Sequence, residues 1–243
     1  MADRFTGRRV AVVGAAGGIG AAVCTSLHAQ GARVHALDLR TPTGLPAGVA
    51  CAEVDVTSEA SVCAAVARLY AEDGTAVDLV NCAGIVEDDV PAEAMPMSTY
   101  DAVMGVNLRG VFLTCREFGR ALLERGGGAI VNVASMSGNA VVNAPQRQSA
   151  YNASKAGVSA LTRSLAVEWG PRGVRVNAVS PGYVDTSLNA LKRHMHQDWL
   201  ERTVLRRFAT LAEVSAAVEY LLSDEAAFCC GTDLLLDGGY SLR

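Results

Sequence analysis

The chain has 243 residues, of which 50% are hydrophobic, and its formal net charge is −4. This length suits one α/β domain over residues 1–243, and the acidic balance argues against nucleic acid as a partner. No apolar run approaches the roughly 18 residues of a membrane span, and the N-terminus lacks a signal-peptide stretch, so we expect a cytoplasmic protein. Seven cysteines without Cys-x-x-Cys spacing predict neither a disulfide framework nor a metal site.

Short β-like runs alternate with helical patterns along the chain, which predicts a doubly wound parallel seven-stranded sheet covered on both faces. The predicted strands are Arg9 to Val13, Arg33 to Leu37, Val49 to Val54, Val77 to Asn81, Ala129 to Ala134, Val174 to Val179 and Asp233 to Leu236. Helices are predicted at about 18–30, 58–73, 98–125, 150–170 and 210–223, with a shorter helical lid at 187–205. Ser98 with Asp101 resembles a capping box, and Thr210 with Glu213 is predicted to form one.

A glycine-rich turn, Gly14 to Gly20, lies between the first strand and the first helix. Small residues there allow backbone amides and the helix N-terminus to approach a pyrophosphate. Asp38 ends the second strand, where its carboxylate would accept bonds from adenosine ribose hydroxyls and repel a 2′-phosphate. The sequence therefore favours NAD over NADP, with exposed-loop Arg40 as the opposing signal.

Tyr151 and Lys155 are four residues apart on a predicted helix and so share one face. A phenol has an ordinary pKa of about 10, and a nearby ammonium favours the phenolate. We therefore expect Lys155 to lower the pKa of Tyr151, so that Tyr151 can move a proton at working pH.

These motifs stand in the order found in the short-chain dehydrogenase/reductase family, which the chain resembles from about Arg8 to Tyr240. The shared pattern comprises Gly14-Ala-Ala-Gly-Gly18-Ile-Gly20, Asn81-Cys82-Ala83-Gly84, Asn107, Ser135, Tyr151-x-x-x-Lys155 and Pro181-Gly182. Two positions depart from the family pattern: Val13 replaces a Thr and Cys82 replaces the second Asn.

The resemblance implies a role for each residue. Tyr151 is the acid or base, Lys155 assists it and holds the nicotinamide ribose, Ser135 bonds the substrate oxygen, and Asn107 positions a water that connects Lys155 to solvent. The implied cofactor-binding residues are Gly14, Gly18, Ile19, Gly20, Asp38, Asp55, Val56, Asn81, Ala83, Gly84, Tyr151, Lys155, Pro181, Val184 and Thr186. Relatives are commonly tetramers built on the two long helices, so a homotetramer is expected.

The segment between Ser135 and Tyr151 is similar to that of family members acting on polyols and ketoses. Asn143, Gln146 and Gln148 offer amide donors and acceptors for several hydroxyls, although a role in stabilising the loop is equally compatible. In the lid predicted at 187–205, Lys, Arg and His residues outnumber Asp and Glu. An anionic hydroxy acid is therefore also compatible as substrate. An NADPH-dependent 3-oxoacyl reductase and a non-catalytic NAD-sensing regulator are also compatible with the sequence.

Overall fold

The computed structural model describes residues 4–186 and 193–243, in which seven strands form one parallel sheet. The strands are β1 Arg9–Val13, β2 Arg33–Asp38, β3 Ala50–Glu53, β4 Val77–Asn81, β5 Gly128–Val133, β6 Val174–Pro181 and β7 Asp233–Leu236. Their order across the sheet is β3-β2-β1-β4-β5-β6-β7, and every neighbouring pair is parallel. The predicted fold class is confirmed, and the strand bounds agree to within two residues.

Helices cover both faces of this sheet. They are α1 Gly18–Ala29, α2 Glu59–Asp73, α3 Met97–Met104, α4 Val111–Glu124, α5 Ser149–Trp169, α6 His196–Arg202 and α7 Leu211–Leu222. One apolar core packs α2, α4 and α5 against the sheet, and a second packs α1 and α7 against its other face. Because both faces are buried, β1 and β4 consist of buried residues throughout.

Two local predictions have opposite outcomes. The capping box of Thr210 and Glu213 is present at the start of α7, with both reciprocal hydrogen bonds. The box predicted for Ser98 and Asp101 is wrong, because α3 begins at Met97 after Pro96 and has no side-chain cap.

The helix predicted at 98–125 is also corrected. Between α3 and α4 the chain forms a π-helical segment, Gly105–Gly110, which the continuous apolar spacing did not indicate. Residues 187–192 of the predicted lid lie outside the described part of the chain, and its remainder contains α6. None of the helices within 4–186 and 193–243 is both long enough and apolar enough to cross a membrane.

The sheet order places the functional motifs at one edge. The chain reverses its direction of progress across the sheet between β1 and β4, which is where ligands bind in open α/β sheets. The glycine turn, Asp38, Ala83, Ser135 and Pro181 all lie at or just after the carboxyl ends of strands.

Candidate active site

The glycine turn is fixed by close backbone packing. Gly14 has φ +86°, and a Cβ there would lie 2.3 Å from the backbone nitrogen of Ala83. A Cβ on Gly20 would lie 2.1 Å from the carbonyl oxygen of Gly14. Gly18 opens α1, and a Cβ there would be in ordinary contact, at 3.5 Å, with Cγ2 of Thr186. Glycine at positions 14 and 20 thus lets the turn after β1 fold tightly against the backbone that follows β4.

A cavity of about 380 Å³, here called the turn cavity, lies beside this turn. Its lining includes the predicted residues Gly14, Asp38, Asp55, Val56, Ala83 and Gly84. Oδ2 of Asp38 accepts a hydrogen bond from the backbone nitrogen of Ala16 at 3.0 Å. Oδ1 of Asp55 accepts from the backbone nitrogen and hydroxyl of Thr57, at 2.8 and 2.7 Å. The cavity therefore presents two ordered carboxylates next to a small-residue turn.

Asn81 differs from the other predicted cofactor residues, because its side chain points into the core. Its amide nitrogen donates to Oδ1 of Asn132 at 2.9 Å, and its Oδ1 accepts from the Thr114 hydroxyl at 2.8 Å. Asn81 is 2% exposed and lines neither this cavity nor the next one. Its side chain joins β4 to β5 and α4, so the prediction that it lines the cleft is corrected.

A second cavity, of about 170 Å³ and here called the tyrosine cavity, adjoins the first through Cys82, Gly84 and Ile85. Its lining includes the predicted residues Ile19, Gly84, Ser135, Tyr151, Lys155, Pro181, Val184 and Thr186. Five separate chain segments bring these residues together: the start of α1, the segment after β4, the ends of β5 and β6, and the first two turns of α5.

The Tyr151 phenol is held in apolar surroundings. Burial raises the pKa of Tyr151 above its ordinary value, the Ser135 hydroxyl lowers the pKa by hydrogen bonding, and the Glu87 carboxylate raises the pKa further. The Ser135 oxygen also accepts a hydrogen bond from the backbone nitrogen of Ser137 at 3.1 Å, which fixes the hydroxyl in place. The hydroxyl groups of Tyr151 and Ser135 therefore lie side by side in the wall of the tyrosine cavity.

Lys155 stands on the same face of α5, and its Nζ lies 5.8 Å from the centre of the Tyr151 ring. The side chain is 4% exposed, and Nζ donates to the carbonyl of Val133 at 2.8 Å. Burial lowers the pKa of Lys155 to about 8. The expectation that Lys155 lowers the pKa of Tyr151 is corrected for the free protein, in which burial has the largest effect and raises that pKa instead.

Asn107 lies in the π-helical segment and is fully buried. Its Oδ1 accepts from the backbone nitrogen of Ile85, and its Nδ2 donates to the Ile85 carbonyl, both at 2.8 Å. Nδ2 also donates to the Ser154 hydroxyl at 3.1 Å. The Asn107 side chain thus fixes the backbone of Ile85, which follows Gly84. Asn107 belongs to a π-helical turn, a feature that is frequent at functional sites.

One charged residue near the reaction centre was not foreseen. Glu87 is 4% exposed, and its two carboxylate oxygens accept from the backbone nitrogen of Tyr151 at 3.1 and 3.2 Å. No sequence pattern indicates that Glu87, in the loop after β4, contacts a helix residue 64 positions later.

Polar side chains from the Ser135–Tyr151 segment form one wall of the tyrosine cavity. Asn143 donates to the Tyr183 hydroxyl at 3.2 Å, and that hydroxyl donates to Oε1 of Gln146 at 3.0 Å. Asn143 is 3% exposed, and its Oδ1 is a buried acceptor with no hydrogen-bond partner within the described residues. The Tyr183 ring stacks on Trp199 of α6, with 4.0 Å between the ring centres.

Comparisons with known proteins agree with this geometry. The family model described as enoyl-(acyl carrier protein) reductase matches residues 14–241. The chain is 42% identical to galactitol 2-dehydrogenase (L-tagatose-forming) of Cereibacter sphaeroides, over 98% of this chain and 97% of that protein. It is 39% identical to D-threitol dehydrogenase of Mycolicibacterium smegmatis, over 99% and 95% of the two chains.

Among solved structures, the aldohexose dehydrogenase of Thermoplasma acidophilum superposes with a TM-score of 0.90 at 31% identity, covering 100% of this chain and 96% of that one. Matches of this extent include the glycine turn, the tyrosine cavity and the whole sheet. The chain therefore belongs to the short-chain dehydrogenase/reductase family of oxidoreductases acting on CH–OH groups with a nicotinamide cofactor.

Proposed function

We propose that the protein transfers a hydride between NAD and a secondary alcohol or ketone, with a polyol, sugar or related hydroxylated small molecule as substrate. The observation that carries this proposal is the convergence of Ser135, Tyr151 and Lys155 on a cavity that adjoins the turn cavity. The bound nicotinamide supplies or accepts the hydride. The chain has to orient the carbinol or carbonyl, polarise its oxygen and move one proton.

The residues present fit a dinucleotide. The glycine turn leaves no room for a Cβ at Gly14 or Gly20, and the backbone nitrogens of residues 14–17 are already hydrogen-bonded within the protein. A pyrophosphate would therefore meet the N–H groups of the first turn of α1, which starts at Gly18. Asp38 and Asp55 would meet the adenosine part in the turn cavity. Ile19, Pro181, Val184 and Thr186 would surround the nicotinamide in the tyrosine cavity, and Lys155 would hold its ribose.

Each reacting side chain has a distinct task in this proposal. Ser135 donates to the substrate oxygen, and Tyr151 shares that oxygen and carries the proton. In ketone reduction, the raised pKa of Tyr151 keeps the phenol protonated and ready to donate. In alcohol oxidation the phenolate is required, so this direction should become faster as the pH rises.

The wall of the tyrosine cavity supports a polyhydroxylated substrate. Oδ1 of Asn143 has no hydrogen-bond donor among the described residues, and a buried acceptor without a donor is energetically costly. A substrate hydroxyl would supply that donor. Gln146 and Gln148 line the same cavity, and the relatives named above act on galactitol and D-threitol.

An anionic substrate receives less support from the described part of the lid. Arg207 pairs with Glu213, at 2.6 Å, and Arg202 lies 3.5 Å from Asp198. Within residues 4–186 and 193–243, no arginine lines the tyrosine cavity.

A substrate panel tests the proposal. Polyols, hydroxy acids, simple ketones and 3-oxoacyl thioesters are offered with NAD(H) and with NADP(H), and turnover is followed by nicotinamide absorbance. We expect the highest kcat/KM for a polyol with NAD. Higher activity on 3-oxoacyl thioesters with NADPH would favour a 3-oxoacyl reductase, and no turnover on any compound would favour the NAD-sensing regulator.

We also propose a homotetramer built on the outer faces of α4 and α5. Phe112 and Val167 are exposed apolar residues of these helices, at 42% and 78%. An open apolar depression of about 560 Å³ lies beside them, lined by Met104, Leu108, Phe112 and Leu161 among others. Light scattering at micromolar concentration should give about 101 kDa for four chains of 25.3 kDa. A monomer mass would contradict the proposal.

A further inference from the structure

The helix that carries Tyr151 has no local cap. The N-cap residue of α5, Gln148, makes no side-chain hydrogen bond to the first turn. The first backbone N–H groups of a helix have no partner within the helix and need one from elsewhere. For the N–H of Tyr151 that partner is Glu87, which approaches from the connection between β4 and α3.

This connection is held at both ends. Asn107 bonds both backbone groups of Ile85, at 2.8 Å. Asp89 accepts from the backbone nitrogen and from Nε of Arg147, at 2.9 and 3.0 Å, just ahead of α5. Glu87 therefore reaches the helix from a clamped segment, and its carboxylate is poorly screened because only 4% of the residue is exposed.

Five groups face Tyr151, and they come from four parts of the described chain. They are Lys155 from α5, Glu87 from the β4–α3 connection, Cys82 after β4, Ser135 after β5 and Tyr183 after β6. Lys155 and Glu87 carry the charges in this group, and they act in opposite directions on the phenol. Lys155 is on the same helix, whereas Glu87 depends on the loop that holds it.

We propose that Glu87 is a positioning residue for proton transfer: its carboxylate caps the first turn of α5, and its negative charge opposes ionisation of the Tyr151 phenol. This inference rests on the proposed function, in which Tyr151 carries the proton. The carboxylate also interacts favourably with the positive end of the helix dipole, which stabilises its position. The raised pKa of Tyr151, to which Glu87 contributes, agrees with this arrangement.

The substitution Glu87→Gln tests the charge, because the amide oxygen can still accept from the Tyr151 N–H. Alcohol oxidation requires the phenolate, so the rise of kcat/KM with pH should move to lower pH, by roughly 0.5 to 1 pH unit. Glu87→Asp keeps the charge and shortens the reach. It should lower kcat and leave the pH profile in place.

A profile of Glu87→Gln that does not move, or that moves to higher pH, overturns the proposal. So does a Glu87→Asp profile that moves to lower pH by ~0.5 pH unit or more, since this variant keeps the charge, and this result still decides if Glu87→Gln fails to fold. Asp88→Asn is the control on the same loop, since it removes the same charge from an exposed side chain next to Glu87 in the chain. Its profile should match the wild type. Substantial turnover by Tyr151→Phe would instead refute the proposed function beneath this inference.

Discussion

Replacing Tyr151 by Phe is expected to lower turnover by at least ~100-fold, which is within the range that general acid–base catalysis contributes. The phenylalanine ring keeps the packing of the first turn of α5, and Glu87 still bonds the backbone at this position. Ser135 and Lys155 remain, but neither has a proton route that replaces the phenol. Steady-state rates in both directions measure the effect.

Cofactor affinity provides the internal check on this variant. The dissociation constant of NAD, measured by fluorescence titration, should change little because the turn cavity is untouched. Tyr220→Phe is a matched control, since this tyrosine lies on α7 and is 39% exposed. Near wild-type turnover by Tyr151→Phe would mean that another group carries the proton.

Replacing Asp38 by Ala should erode the use of NAD and improve the use of NADP. The carboxylate is expected to favour NAD by at least ~1 to 3 kcal/mol, the scale of a charge-assisted hydrogen bond. This corresponds to at least about fivefold in kcat/KM. The measurement is the ratio of kcat/KM with the two cofactors, in the wild type and in the variant.

The structure shows that Asp38 has a second task, because its Oδ2 accepts from the Ala16 nitrogen in the glycine turn. Asp38→Asn separates the two tasks: its amide oxygen can keep this bond, while the charge that repels a 2′-phosphate is removed. Arg40 is exposed in the following loop, so Asp38→Ala with Arg40→Ala should lose the gain in NADP use. A wild-type enzyme faster with NADPH than with NADH at equal concentration would refute the assignment of Asp38.

The residues whose place in the fold could be predicted from the sequence are those at strand ends. Gly14, Asp38 and Ser135 needed only the order of elements and a parallel sheet, since carboxyl ends then share one edge. Their lining of the two cavities follows from that topology.

What the sequence left open depends on side-chain direction and on contacts between distant segments. Asn81 ends β4 as predicted, but the polar partner on β5 draws its amide into the core. The side chain of Asn107 bonds a backbone 22 residues away, and the π turn that permits this bond has no distinct apolar spacing. The pKa of Tyr151 depends on the degree of burial, which motif spacing does not encode.

The burial of Lys155 lowers the free energy of unfolding at neutral pH. Its pKa of about 8 in the folded protein is below the ordinary 10.5, so between these values the unfolded chain binds the proton more tightly. The contribution of this group to the free energy of unfolding therefore rises with pH across that window and is least favourable near neutrality. Each pH unit of difference is worth about 1.4 kcal/mol, which makes the penalty roughly 3 kcal/mol. At neutral pH the buried ammonium therefore subtracts from the stability of the fold, a cost borne by the residue proposed to hold the nicotinamide ribose.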